Sequence, residues 1–137
     1  MSSTPTERAT YGIRKVVALP FAEAVAKTTA ALQEQGFGVL SEIDLRAKLK
    51  EKLGVDVPNY LILGPCNPPL AYKALQAEPE IGLLLPCNVI VYEKDGKTVV
   101  SAVDPDAMLG IVANPAVAEV AADAKKRLQA AMASLAG

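Results

Sequence analysis

The sequence predicts an α+β domain: one five-stranded sheet with its helices gathered on one face. Three observations carry that prediction. Five short apolar segments read as strands, at residues 11–19, 37–43, 59–64, 88–94 and 97–103, the first with its apolar side chains at period two. Apolar stripes at helical spacing lie between and after them. Asp95-Gly96 joins the last two segments as a tight hairpin turn.

Taken in order, "YGIRKVVAL" sets Tyr11, Ile13, Val17 and Leu19 on one face and Val16 and Ala18 on the other, which reads as a mostly buried strand. Pro20 suits a helix start. The helix that follows carries Phe21, Val25, Thr28 and Leu32 along one stripe, and Gly36 ends it in a left-handed conformation. "FGVLSEI" is the second strand. Asp44 caps a short helix whose Leu45, Leu49 and Leu53 recur every four residues, opposite a solvated face of Lys and Glu, until Gly54 stops it.

"NYLILG" is the third strand, and Pro65-Cys66-Asn67-Pro68-Pro69 follows it. Asn67 is the predicted N-cap of a helix over 68–76, with Pro68 at the first helical position and Pro79 beyond its end. "NVIVYEK" and "KTVVSAV" form the hairpin. Asp104-Pro105 opens a helical turn, and Asn114-Pro115 opens the terminal helix. Val117, Val120, Ala121, Ala124, Leu128, Ala131 and Leu135 make its stripe, small enough to lie close against a sheet. No internal repeat is present.

Length and composition bound the function. The 137 residues make one domain, expected over 10–137 behind a loosely attached polar tail at 1–9. With 51% hydrophobic but 4% aromatic residues, the core must be built from Leu, Val, Ile and Ala. A formal net charge of −1 leaves no basic excess to neutralise phosphates, and few aromatics remain for base stacking, so no nucleic-acid partner is expected. The start lacks the apolar run of a signal peptide, and no stretch approaches the roughly 20 apolar residues of a membrane span. A soluble, cytoplasmic protein without membrane contact is the expectation.

Cysteine occurs twice, as Cys66 and Cys87, each time within Pro-Cys-Asn. Cys66 immediately precedes a predicted helix start, where unpaired N–H groups and the dipole favour an anion and lower a thiol's pKa. Cys87 lies between Pro86 and the fourth strand. If the third and fourth strands are antiparallel neighbours, both sulfurs come to one end of the sheet. Three readings of them stand open. They are small buried packing residues; they are a thiol site in which Cys66 reacts and Cys87 resolves it; or they ligate a soft metal or a cofactor. Zinc ordinarily takes four ligands, so two cysteines without histidine would have to be shared across a dimer. A reducing compartment favours thiols, although an even count leaves a disulfide open.

Other chemistry is scarce. Histidine is absent, and with it the commonest general base and any Ser-His-Asp or Cys-His arrangement. No glycine-rich phosphate loop occurs. Asp44, Asp56, Asp104 and Asp106 read as caps and turn residues. Asn67 and Asn88 either hold turn backbone or orient a ligand or thiol.

"ILGPCNPPLAYKAL" and "EIGLLLPCNVIVYEKDG", together with "GFGVLSEIDL", "KLGVD" and the Asp104-Pro105 turn, resemble the family called domain of unknown function 302 (DUF302) from about Tyr11 to Leu135. The resemblance implies a TATA-binding-protein-like fold, a curved, mainly antiparallel sheet in the order strand, helix, four strands, helix, with the long C-terminal helix packed on one face. A homodimer is plausible for such a fold. The resemblance marks Cys66, Asn67, Pro68, Pro86, Cys87 and Asn88 as motif positions and assigns them no role. The expectation is a binding or carrier module with its ligand site at Cys66 and Cys87, its cofactor unknown. The alternatives are a structural or interaction homodimer with packing cysteines only, and a thiol-dependent sulfur transferase or reductase.

Overall fold

A computed structural model describes residues 11–136, so the tail expected at 1–9 lies outside the described residues. The elements run β1 (Gly12–Val17), α1 (Phe21–Glu34), β2 (Gly38–Asp44), α2 (Leu45–Leu53), β3 (Tyr60–Cys66), α3 (Pro68–Ala77), a 3₁₀ helix (Pro79–Leu84), β4 (Val89–Lys94), β5 (Lys97–Val103), α4 (Pro105–Leu109) and α5 (Pro115–Ala133). The sheet order is β1-β5-β4-β3-β2, with every neighbouring pair antiparallel. This is the expected α+β architecture. Pro79 does more than end α3, since it begins the 3₁₀ segment, which the sequence reading left out.

Local chemistry sets most of the boundaries. The Asn67, Asp44, Asp104 and Asn114 side chains each accept a hydrogen bond from a backbone N–H two or three residues further on, in the helix they open. α1 ends in a Schellman arrangement: Phe37 N–H donates to Leu32 O, Gly36 N–H donates to Gln33 O, and Gly36 takes φ +86°. Asp95 and Gly96 both take positive φ, as a type I′ hairpin turn requires.

The core lies between one face of the sheet and α1 with the C-terminal half of α5. Leu63, Val89, Val91 and Val100 are fully buried there with Leu32 and Leu128. A second cluster joins Leu70 and Ala74 of α3, Ile81, and Leu109 to Val117, Val120, Ala121 and Ala124 in the N-terminal half of α5. The α5 stripe read from spacing is buried throughout, and Met132 extends it. One long helix therefore serves two cores, and the candidate site lies where they meet.

Two expectations need correction. The first strand is not mostly buried: of its six residues only Val17 is buried, and Val16 is 40% exposed. It is an edge strand whose outer face carries no helix. The leucine stripe of α2 buries none of its residues, and Leu53 is 69% exposed. That helix follows the β2 edge and packs chiefly against β3, so amphipathic spacing alone did not give it a covering partner.

Candidate functional site

The conditional link between the cysteines is met. β3 and β4 are antiparallel, with Leu63 opposite Val89, so the chain leaving β3 and the chain entering β4 lie at one sheet end. Cys66, Asn67, Pro86 and Cys87 all line one cavity of about 310 Å³ there. Phe37 between α1 and β2, Leu70 and Ala74 of α3, Leu85, and Val120 of α5 supply much of the remaining wall. Leu40 of β2 and Leu75 of α3 also line it and are 75% and 45% exposed, so they form the rim on the solvent side.

Among the described residues the lining contains no carboxylate and no cation; its polar atoms are the Asn67 amide, the two thiols and backbone. Both cysteines are free, so the disulfide left open by their even number does not form. Cys66 is half-buried and Cys87 buried. Burial, with a smaller contribution from neighbouring Cys66, pushes the Cys87 thiol up to about 11, which keeps it protonated and a poor nucleophile at neutral pH. Among the described residues no group of three or more His, Cys, Asp or Glu side chains gathers that could hold a metal ion.

Asn67 is buried and its place is fixed twice over. Its Oδ1 accepts from Leu70 N–H at 3.3 Å, and a Cβ added at Gly36 would stand 3.0 Å from its Nδ2. The Schellman turn that ends α1 thus leaves room for the amide that starts α3. Gly64 makes a similar allowance, because a Cβ there would meet Ser41 Oγ at 2.2 Å and Pro86 Cγ at 3.0 Å.

Two of the six motif residues stand apart. Pro68 is exposed at the first position of α3 and does not line the cavity. Asn88 is exposed and lines a different cleft, on the opposite face of the sheet. Successive residues point to opposite faces as the chain enters a strand, so Cys87 and Asn88 part company. The cavity residues Phe37, Leu40, Val120 and Ala124 were not legible as a site, because their apolar character does not say what they face.

The family model described as domain of unknown function DUF302 matches residues 13–135. A crystal structure of an uncharacterized conserved protein DUF302 from Bacillus stearothermophilus superposes with a TM-score of 0.85 at 33% identity, covering 91% of this chain and 98% of that one. Comparison with the curated proteins gives no match. No helix among the described residues is long and apolar enough to cross a membrane.

Proposed function

Since the chain belongs to the DUF302 family, whose description carries no activity, the function has to be read from the cavity, and we propose that the protein is a small-molecule binding or carrier module. The observation that carries this is the cavity of about 310 Å³, apolar walls with two free sulfurs and one fixed amide set into them. Such a site suits a small apolar organic ligand, held by burial and oriented by few polar groups. Cys66, half-buried in the wall, is the sulfur open to a ligand; Cys87, buried and protonated, is part of the wall. The absence of a base or a charged group beside Cys66 in the lining supports binding over sulfur transfer or reduction.

The test uses N-phenyl-1-naphthylamine, a neutral fluorescent probe, with untagged full-length protein. Saturable binding is expected, lost when Ala71, which lines the cavity from α3, is replaced by Trp, and lost when Cys66 is alkylated. No saturable binding, together with native mass spectrometry showing no bound species, overturns the proposal. A stoichiometric metal in the same mass spectrum would move the reading to soft-metal ligation by the two sulfurs.

One observation favours a second reading, that of an interaction homodimer. Among the described residues β2 is an edge strand with unpaired backbone groups along one side, and beside it Leu40, Ile43 and Leu53 are exposed. Antiparallel pairing of two β2 strands would be self-complementary about a twofold axis. Light scattering at twice the chain mass, reverting to the monomer on Ile43→Lys, is the expected result; a monomer across the accessible concentration range would sink it.

A further inference from the structure

The sheet face that no helix covers carries a second cleft, of about 500 Å³, unconnected with the cysteines. Its walls are outward-facing strand residues. Tyr60 and Tyr92 sit opposite one another across the β3–β4 register, their rings stacked at 5.3 Å between centroids and 21° between planes. Arg14 lies opposite Ser101, which lies opposite Ile90, in the row adjoining the tyrosine pair. Tyr11 and Lys94 complete the lining together with Asn88.

Two features set this surface apart from an ordinary solvated sheet face. Arg14 Nε is buried yet has no hydrogen-bond partner among the described residues, an arrangement that leaves its desolvation uncompensated. Among the described residues the lining holds two cations, Arg14 and Lys94, and no carboxylate, in a protein whose net charge is −1. Burial, then the neighbouring Tyr92 and Tyr11, raises the Tyr60 phenol pKa, so its hydroxyl stays a donor.

We propose that this cleft binds a small planar anion, an aromatic ring carrying a carboxylate or phosphate. The ring lies against the Tyr60–Tyr92 pair and the anionic group meets the Arg14 guanidinium. Arginine's planar fork matches such an anion through two parallel N–H bonds, which a lysine ammonium does not reproduce. Aromatic faces add stacking that tolerates different ring systems. The assignment stands independently of the cysteine cavity.

The test is titration of the full-length protein with 2-naphthoate and with its neutral amide, read by calorimetry and by the Arg side-chain Nε–H and tyrosine ring signals in NMR. The carboxylate is expected to bind with shifts at Arg14, Tyr60 and Tyr92, and the amide at least about tenfold more weakly, the loss of one charge-assisted contact. Arg14→Met and Arg14→Lys should both lose about tenfold, with Arg14→Lys serving as the check that loss of fold is not the cause. Equal affinity for acid and amide overturns the proposal. So do shifts confined to the Cys66 cavity, or a single-stranded oligonucleotide that binds more tightly than any mononucleotide and weakens steeply with salt.

Discussion

Cys66 and Cys87 line the same cavity in unlike settings: Cys66 is half-buried, whereas Cys87 is buried and its thiol is pushed up to about 11. The two sulfurs are therefore chemically unequal, which a repeated tripeptide would not suggest. In native protein at pH 8, iodoacetamide should modify Cys66 first and leave Cys87 intact until denaturant is added. Peptide mass spectrometry reads this directly, and equal labelling of both in the folded state would contradict it.

Alkaline stability follows from the same thiol. Because the folded pKa of Cys87 lies above its unfolded value of 9.0, its contribution is complete below pH 9 and is lost as pH rises to about 11. The span corresponds to on the order of 2–3 kcal/mol. Lys125, paired with Asp104 at 3.1 Å and Asp106 at 3.3 Å, has its pKa raised by those hydrogen bonds and acts in the same direction above 10.5. Urea midpoints should fall from pH 9 upward, and the fall between 9 and 11 should be markedly smaller in Cys87→Ala.

Gly36 and Asn67 should be energetically coupled. Gly36→Ala forces an alanine into φ +86° and brings its Cβ to 3.0 Å from Asn67 Nδ2, so a loss of about 1–2 kcal/mol is expected. Asn67→Ala removes the α3 cap, a loss of about 1 kcal/mol. In the double variant the contact is gone and the losses should sum to less than their separate values by at least about 0.5 kcal/mol. Strict additivity in chemical denaturation would refute the contact.

Lys15 ties the first strand to the end of the last helix. Its Nζ donates to Met132 O at 3.3 Å, to Ala133 O at 3.5 Å and to Leu135 O. These carbonyls lie at or just beyond the C-terminal end of α5, where the dipole favours a cation; Met132 O also accepts from Leu135 N–H. Lys15→Met should cost roughly 1–2 kcal/mol and speed hydrogen exchange in the last turn of α5. Unchanged exchange there would show that the ammonium does not hold the helix end.

Local signals gave the elements nearly residue by residue. Asn67 before Pro68-Pro69, Asp44 before Leu45, Asp95-Gly96, and the Val117-to-Leu135 stripe each specify a cap, a turn or a buried face through atoms close in sequence. Where such signals failed, the missing information was what lay opposite. The Leu45–Leu49–Leu53 spacing is the same whether α2 meets a core or hangs at an edge. The alternation along the first strand reads the same whether its second face is covered or, as here, bare.

The sequence by itself therefore determined the order of elements, the α+β class, the caps and turns, and the proximity of Cys66 to a helix start. Strand pairing alone decided that β3 and β4 are neighbours, that Cys87 joins Cys66 in one cavity, and that Asn88 turns away to a cleft shared with Arg14 and Tyr60. The physical reason is range. A cap or a hairpin turn is fixed by hydrogen bonds and φ preferences within a few residues, whereas a cavity is the space left between segments, and its walls here come from residues 37 to 124.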